Sequence, residues 1–149
     1  MIDFHNHIIP NLDDGSKSIN MTIEMMQLAA SQGITDVVNT VHYQHPIITN
    51  KKISYDYVKL KINKLNKIMS DNDINIKLHI GAEVFYRPNL TKIKKDPLTT
   101  FENGKYMLIE FQYHQFPNEY LDELFNLKIS GCTPIIAHPE RYLPVQKNP

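Results

Sequence analysis

Five apolar segments of this 149-residue chain each run into an imidazole or a carboxylate. Asp3, His5 and His7 alternate along the first of them. In extended backbone, residues two apart point to one side, so both imidazoles can reach a single ion. His42 follows Val38-Asn39-Thr40-Val41, Glu83 follows Gly81-Ala82, Glu110 lies in Leu108-Ile109-Glu110-Phe111, and His138 follows Ile135-Ile136-Ala137. These side chains are hard or borderline metal ligands, with no thiolate among them. A carboxylate set inside an apolar run, as Glu110 is, is costly to bury unless it is paired or metal-bound.

Other residues have two readings. Asp14, in Asp13-Asp14-Gly15, is either a ligand or a turn former that bonds its own backbone. His42 is either a ligand or a satisfied core histidine. Arg141, in His138-Pro139-Glu140-Arg141, shares with Arg87 the distinction of being an arginine in a lysine-rich chain. Beside a metal cluster, a planar guanidinium suits bidentate capture of a phosphate; the other reading is a solvated surface arginine. Pro139 is expected to hold His138 extended and so to aim it at the rim. His79, His45 and His114 are read as packing or surface histidines. Tyr43, Tyr113 and Phe116 flank strand ends, where they either wall an aromatic pocket or pack locally.

The positions of these residues follow from the elements around them. Strands are expected at Met1–His5, Ile34–Val41, Ile74–Ile80, Tyr106–Phe111 and Thr133–Ala137, the second β-branched without strict alternation, as in a strand buried on both faces. In the first, Ile2 and Phe4 share one face, and Asp3 and His5 the other. A helix with Ile19, Ile23, Met26 and Ala30 on one face starts at Ser18 or Asn20 and stops at Gly33. A second opens at Ser54, with Val58, Ile62, Leu65 and Met69 inward and Lys59, Lys61, Asn63 and Lys67 outward. A third is capped by Asn118, carries Leu121, Leu124 and Phe125, and ends at Gly131. Asp96-Pro97 must break any helix between Leu90 and Phe101. Alternating strands and helices predict a parallel α/β sheet, whose carboxyl rim is where such folds build sites. His5, His7, His42, Glu83, Glu110 and His138 all fall on that rim.

Composition narrows the functional classes. Hydrophobic residues make up 42% and charged residues 21%, ordinary globular usage. Lys+Arg and Asp+Glu both number 16, for a formal net charge of +0, so no basic excess favours nucleic acid. Cys132, the single cysteine, reads as a buried inert thiol. No secretory signal is visible, and no apolar run reaches the ~20 residues of a membrane span. The chain thus reads as soluble and cytoplasmic.

Three segments carry a family resemblance: Met1-Ile2-Asp3-Phe4-His5-Asn6-His7-Ile8-Ile9-Pro10, Asp13-Asp14-Gly15, and Ile135-Ile136-Ala137-His138-Pro139-Glu140-Arg141-Tyr142. Together they resemble the bacterial PHP-type protein-tyrosine phosphatases of the CpsB/CapC/YwqE family. The first segment is shared across the PHP superfamily, histidinol phosphatases included; the other two are more specific. The resemblance implies a distorted (β/α)7 PHP (TIM-like) barrel carrying up to three divalent ions, manganese foremost. It implies that His5, His7 and Glu83 hold one ion, that Glu83 bridges to a second held by Glu110 and His138, and that Asp14 and His42 hold the third. Arg141 would grip the phosphate of a phosphotyrosine protein, by resemblance a bacterial tyrosine kinase of capsule or exopolysaccharide regulation. Alternatives are a PHP-type small-molecule phosphatase, such as a histidinol phosphatase, and a non-catalytic remnant. About five βα units fill the chain and the family's last Asp and His ligands have no counterpart in it, so residues 1–149 are expected to be a C-terminally truncated PHP metallophosphatase domain that binds metal weakly.

Overall fold

In the computed structural model, residues 1–48 and 53–148 are described. The chain order is β1 (Ile2–Asn6), α1 (Ile19–Ser31), β2 (Asp36–Tyr43), α2 (Tyr55–Asp71), β3 (Lys77–Phe85), α3 (Leu90–Ile93), a 3-10 turn (Phe101–Asn103), β4 (Tyr106–Glu110), α4 (Tyr120–Ile129), β5 (Thr133–Ile136), a second 3-10 turn (Pro139–Arg141) and α5 (Leu143–Lys147). The strands form one sheet in the order β1-β2-β3-β4-β5, every neighbouring pair parallel. All five strands therefore end on one edge.

Local signals set the two long helices. The Ser18 hydroxyl accepts from the Met21 N–H and the Ser54 hydroxyl from the Tyr57 N–H, each satisfying an orphan donor of the first turn. After α1, Gly33 takes φ 80°, a conformation open to glycine at no steric cost. Val58, Ile62, Leu65 and Met69 of α2 are buried with Val37, Val41, Leu78, Val84 and Ile109 of the strands. Asn66 locks α2 to β3, donating to the Leu78 carbonyl at 3.0 Å and accepting from the Leu78 N–H at 2.8 Å. Cys132 is fully buried, and burial pushes its thiol up from the ordinary value. Among the described residues, no helix is long and apolar enough to cross a membrane.

Several expectations are corrected. Strands β2 and β3 extend through His42 and Glu83 rather than ending before them, because Thr40-Val41-His42 pairs in register with Gly81-Ala82-Glu83. The alternation of strand and helix lapses between β3 and β4, where one helical turn and a 3-10 turn replace a full crossover helix. In α1 the buried positions are Thr22, Met26 and Ala29, while Ile19 is exposed. Helix α4 starts after Glu119 rather than at an Asn118 cap, and it buries Leu127 while Leu121, Phe125 and Ile129 stay more than 60% exposed. On the edge strand β1, Ile2 and Phe4 are exposed. His138 is not extended: its φ of 29° and ψ of 58° are left-handed.

Candidate metal centre

The rim is assembled from the end of β1. Asp3 pairs with Val37 and Asn6 with Asn39, so β1 carries one residue more than β2 across this interval. The bulge contains His5, and bulges re-aim side chains in this way. The Thr40 hydroxyl restores the interrupted ladder, accepting from the Asn6 N–H and donating to the Asn6 carbonyl, each at 3.2 Å. Beyond the strand, buried Asn39 Oδ1 accepts from the N–H groups of Ile8 (3.0 Å) and Ile9 (3.2 Å). The Asp13-Asp14-Gly15 turn then folds back on His7. The Ser16 N–H donates to the His7 carbonyl at 2.9 Å, and a Cβ built on Gly15 would lie 2.0 Å from that oxygen. Only glycine fits there.

At the rim, Glu83 is 1% exposed and sits among four imidazoles. Its Oε2 lies 3.0 Å from His5 Nε2, 3.1 Å from His7 Nε2 and 3.6 Å from His42 Nδ1, while Oε1 lies 2.9 Å from His138 Nε2. Glu110 Oε2 is 3.6 Å from both His42 Nδ1 and His45 Nε2. Asp14, exposed on its outer side, reaches within 3.3 Å of His42 Nε2. His5, His7, Asp14, His42, Glu83, Glu110, His138 and Arg141 thus all border one cavity of about 670 Å³. Donor atoms cluster within 4.8 Å in three sets: His5 with Glu83 and His138, His7 with Asp14 and His42, and His42 with His45 and Glu110.

The electrostatics are set by a buried carboxylate packed among imidazoles. Burial opposes the charge on Glu83, yet its bonds to His138, His5 and His7 hold its carboxyl far below the usual range. Burial likewise opposes a charged His7, but Asp13 and Glu83 outweigh it and push the imidazole up to about 10. Asp13 contacts His7 Nδ1 at 3.0 Å and accepts from the Gly15 N–H, so it orients the ring whose other nitrogen faces Glu83. A carboxylate behind an imidazole is the usual support of a histidine ligand. Both ring nitrogens of His42, Oε2 of Glu110 and Nδ1 of His138 are buried without a hydrogen-bond partner among the described residues. Buried polar atoms left unpaired are costly, and here they belong to imidazole and carboxylate groups, the donor set of a divalent cation. The residues present fit such an ion.

Two residues not expected at the site also shape the rim. His45, expected to pack or lie on the surface, borders the cavity between His42 and Phe85, with ring centroids 5.0 and 5.2 Å away. Tyr142 is 1% exposed, and its hydroxyl accepts from the Phe111 N–H at 3.0 Å. It pins the turn that presents His138 and Arg141, and burial pushes its phenol up to about 12. The side chain of Arg141 itself is 68% exposed. Arg87 donates to the Gln44 carbonyl at 3.0 Å, tying the loop after β2 to the end of β3. His79 bonds Asp36 at 2.8 Å, away from the site.

The family model described as "Capsular polysaccharide synthesis, CpsB/CapC" matches residues 1–149. The chain belongs to the CpsB/CapC family. Similar relatives include CapC of Staphylococcus aureus, 38% identical over 99% of this chain and 57% of its own length. The tyrosine-protein phosphatase YwqE of Bacillus subtilis is 34% identical over 100% of this chain and 58% of its own length. Among solved structures, a chain from the crystal structures of YwqE from Bacillus subtilis and CpsB from Streptococcus pneumoniae, described as unique metal-dependent tyrosine phosphatases, superposes with a TM-score of 0.91 at 32% identity, covering 100% of this chain and 60% of that one. The chain therefore spans about three fifths of the length of these CpsB/CapC relatives.

Proposed function

We propose that this chain carries the metal-binding rim of a divalent-metal-dependent phosphatase acting on phosphotyrosine in proteins. The observation that carries the reading is the convergence of buried, partly unpaired imidazole and carboxylate atoms from all five strand ends on one cavity. His5, His7, Asp14, His42, Glu83, Glu110 and His138 are the proposed ligands, for up to three ions, with manganese suited to this nitrogen–oxygen set. Bound there, such ions supply Lewis-acid activation of water and relief of charge on the phosphoryl group. Asp13 holds the His7 ring in place, and the buried Tyr142 anchors the turn that brings Arg141 to the cavity mouth. From that position the Arg141 guanidinium grips phosphate oxygens in a bidentate fork. An apolar pocket of about 540 Å³ adjoins the ligand cavity, with Phe85, Phe111 and Tyr113 in its walls, and it suits the tyrosyl ring. The proposed frame is the family's (β/α)7 PHP barrel, with a bacterial tyrosine kinase as phosphoprotein partner and the cytoplasm as its setting.

Equilibrium dialysis with manganese, together with turnover of a phosphotyrosyl peptide against histidinol phosphate, tests this reading. Manganese binding that Glu83→Gln abolishes, and a ratio favouring the peptide, are expected. Manganese binding indifferent to Glu83→Gln overturns the site; a preference for histidinol phosphate overturns the substrate.

A further inference from the structure

His45 sits among metal-ligating side chains, but its ring is wired for another task. The backbone N–H groups of Ile47 (3.2 Å) and Ile48 (2.9 Å) both donate to its Nδ1. A ring nitrogen that accepts carries the lone pair, so in the neutral imidazole the proton is on Nε2. That Nε2 lies 3.6 Å from Glu110 Oε2, beyond hydrogen-bond distance. A metal ion needs a lone pair at this nitrogen, and Nε2–H offers none.

The loop is built to keep the ring where it is. Gln44 takes a φ of 53°, turning the chain back over the rim. Its side chain donates to the Phe85 carbonyl at 2.8 Å, and Arg87 holds its backbone carbonyl at 3.0 Å. The His45 ring meets Phe85 at an interplanar angle of 79°. His45 thereby borders both the ligand cavity and the apolar pocket, a position it shares with Glu110, His138 and Arg141. Glu110 can only accept, and His138 Nε2 donates to Glu83, which leaves the unpaired Nδ1 of the neutral ring a lone pair and no proton. Of the four, His45 and Arg141 are left to offer donors at the junction where the phosphoryl and aryl halves of an aryl phosphate would meet.

We propose that His45 donates its Nε2–H to an oxygen of the bound phosphate monoester and holds no metal ion. The inference rests on the phosphatase reading of the same site. The variants His45→Ala, His45→Gln and His42→Ala serve as test, with manganese per chain measured by mass spectrometry and inorganic phosphate affinity by calorimetry in excess manganese. Nitrogen-15 NMR of the EDTA-treated wild type reports the His45 tautomer. Expected are an Nε2–H tautomer, manganese content lowered by His42→Ala but unchanged by either His45 variant, and phosphate binding weakened roughly 10-fold to 100-fold in His45→Ala, as for loss of a hydrogen bond to a charged group. His45→Gln, which keeps a donor at similar reach, should bind phosphate close to wild type. Manganese loss in His45→Ala, an Nδ1–H tautomer, unchanged phosphate affinity in His45→Ala, or a glutamine variant as weak as the alanine variant each overturns the role. A wild-type chain that binds no manganese overturns the phosphatase site itself and this inference with it, an outcome distinct from a manganese-loaded chain indifferent to His45.

Discussion

At the scale of single residues, the rim depends on small side chains as much as on its imidazoles and carboxylates. Gly15 has no ligand atom, yet its Cα lies against the His7 carbonyl, and an added Cβ would fall 2.4 Å from the His7 Cβ. The His7 backbone on one side and the His7 Cβ on the other leave no flexible neighbour to move aside. Gly15→Ala is therefore expected to push the Asp13-Asp14 turn off His7, separating Asp14 from His42 and Asp13 from the His7 ring. Manganese titration should show weakened binding while far-ultraviolet circular dichroism keeps its native shape. Binding equal to wild type would mean that the turn does not need this close approach.

At the scale of elements, the chain after β1 is held by a side chain rather than by a continued ladder. Asn39 on β2 is 1% exposed, and its Oδ1 takes both the Ile8 and the Ile9 N–H groups. Without that oxygen two buried donors lose their partner, and each unsatisfied donor costs about 1–3 kcal/mol. Asn39→Leu should destabilise by at least about 2 kcal/mol, read as a lower urea midpoint at constant slope. Asn39→Asp keeps the accepting oxygen but buries a carboxylate, so it too should destabilise, and more strongly above the ordinary carboxylate range. An Asn39→Leu variant with the wild-type urea midpoint would mean that the Ile8 and Ile9 N–H groups do not depend on the Asn39 oxygen.

At the scale of the whole molecule, the rim couples stability to pH and, as proposed, to metal. In EDTA-treated protein His7 titrates near 10 rather than at its ordinary 6.5. A group with a raised pKa contributes stability that is complete below its unfolded value and lost as pH rises through its folded one. Glu83, held low, contributes above the ordinary carboxylate range and loses its contribution in acid. Between pH 6.5 and about 10 the His7 contribution declines while that of Glu83 stays constant, so the Tm of EDTA-treated protein should fall. Ligands must shed protons to bind a metal, so stabilisation by excess manganese should grow across the same interval. Differential scanning calorimetry in both conditions checks this, and a Tm that climbs with pH in EDTA would contradict it.

The sequence by itself determined that five strands form and in what order, the Ser54 cap and the inward face of α2, and it narrowed the α1 cap to Ser18 or Asn20, because each is written in residues that lie near one another in the chain. It also placed His5, His7, His42, Glu83, Glu110 and His138 at strand ends, since parallel strands must all finish on one edge. Tertiary structure decided what depends on distant neighbours. Leu121 and Phe125 carry a helical period, but which face of α4 meets the sheet is set by packing, and Leu127 took the core. His138 leaves the extended region that Pro139 favours, and there its Nε2 bonds the buried Glu83 carboxylate. His45 had no strand-end signature. Its place on the rim comes from a left-handed Gln44 and from contacts to Phe85 and Arg87, residues some 40 positions away. Spacing along the chain reports which side chains share a local face; only the folded backbone fixes which nitrogen of a ring is free to face the cavity.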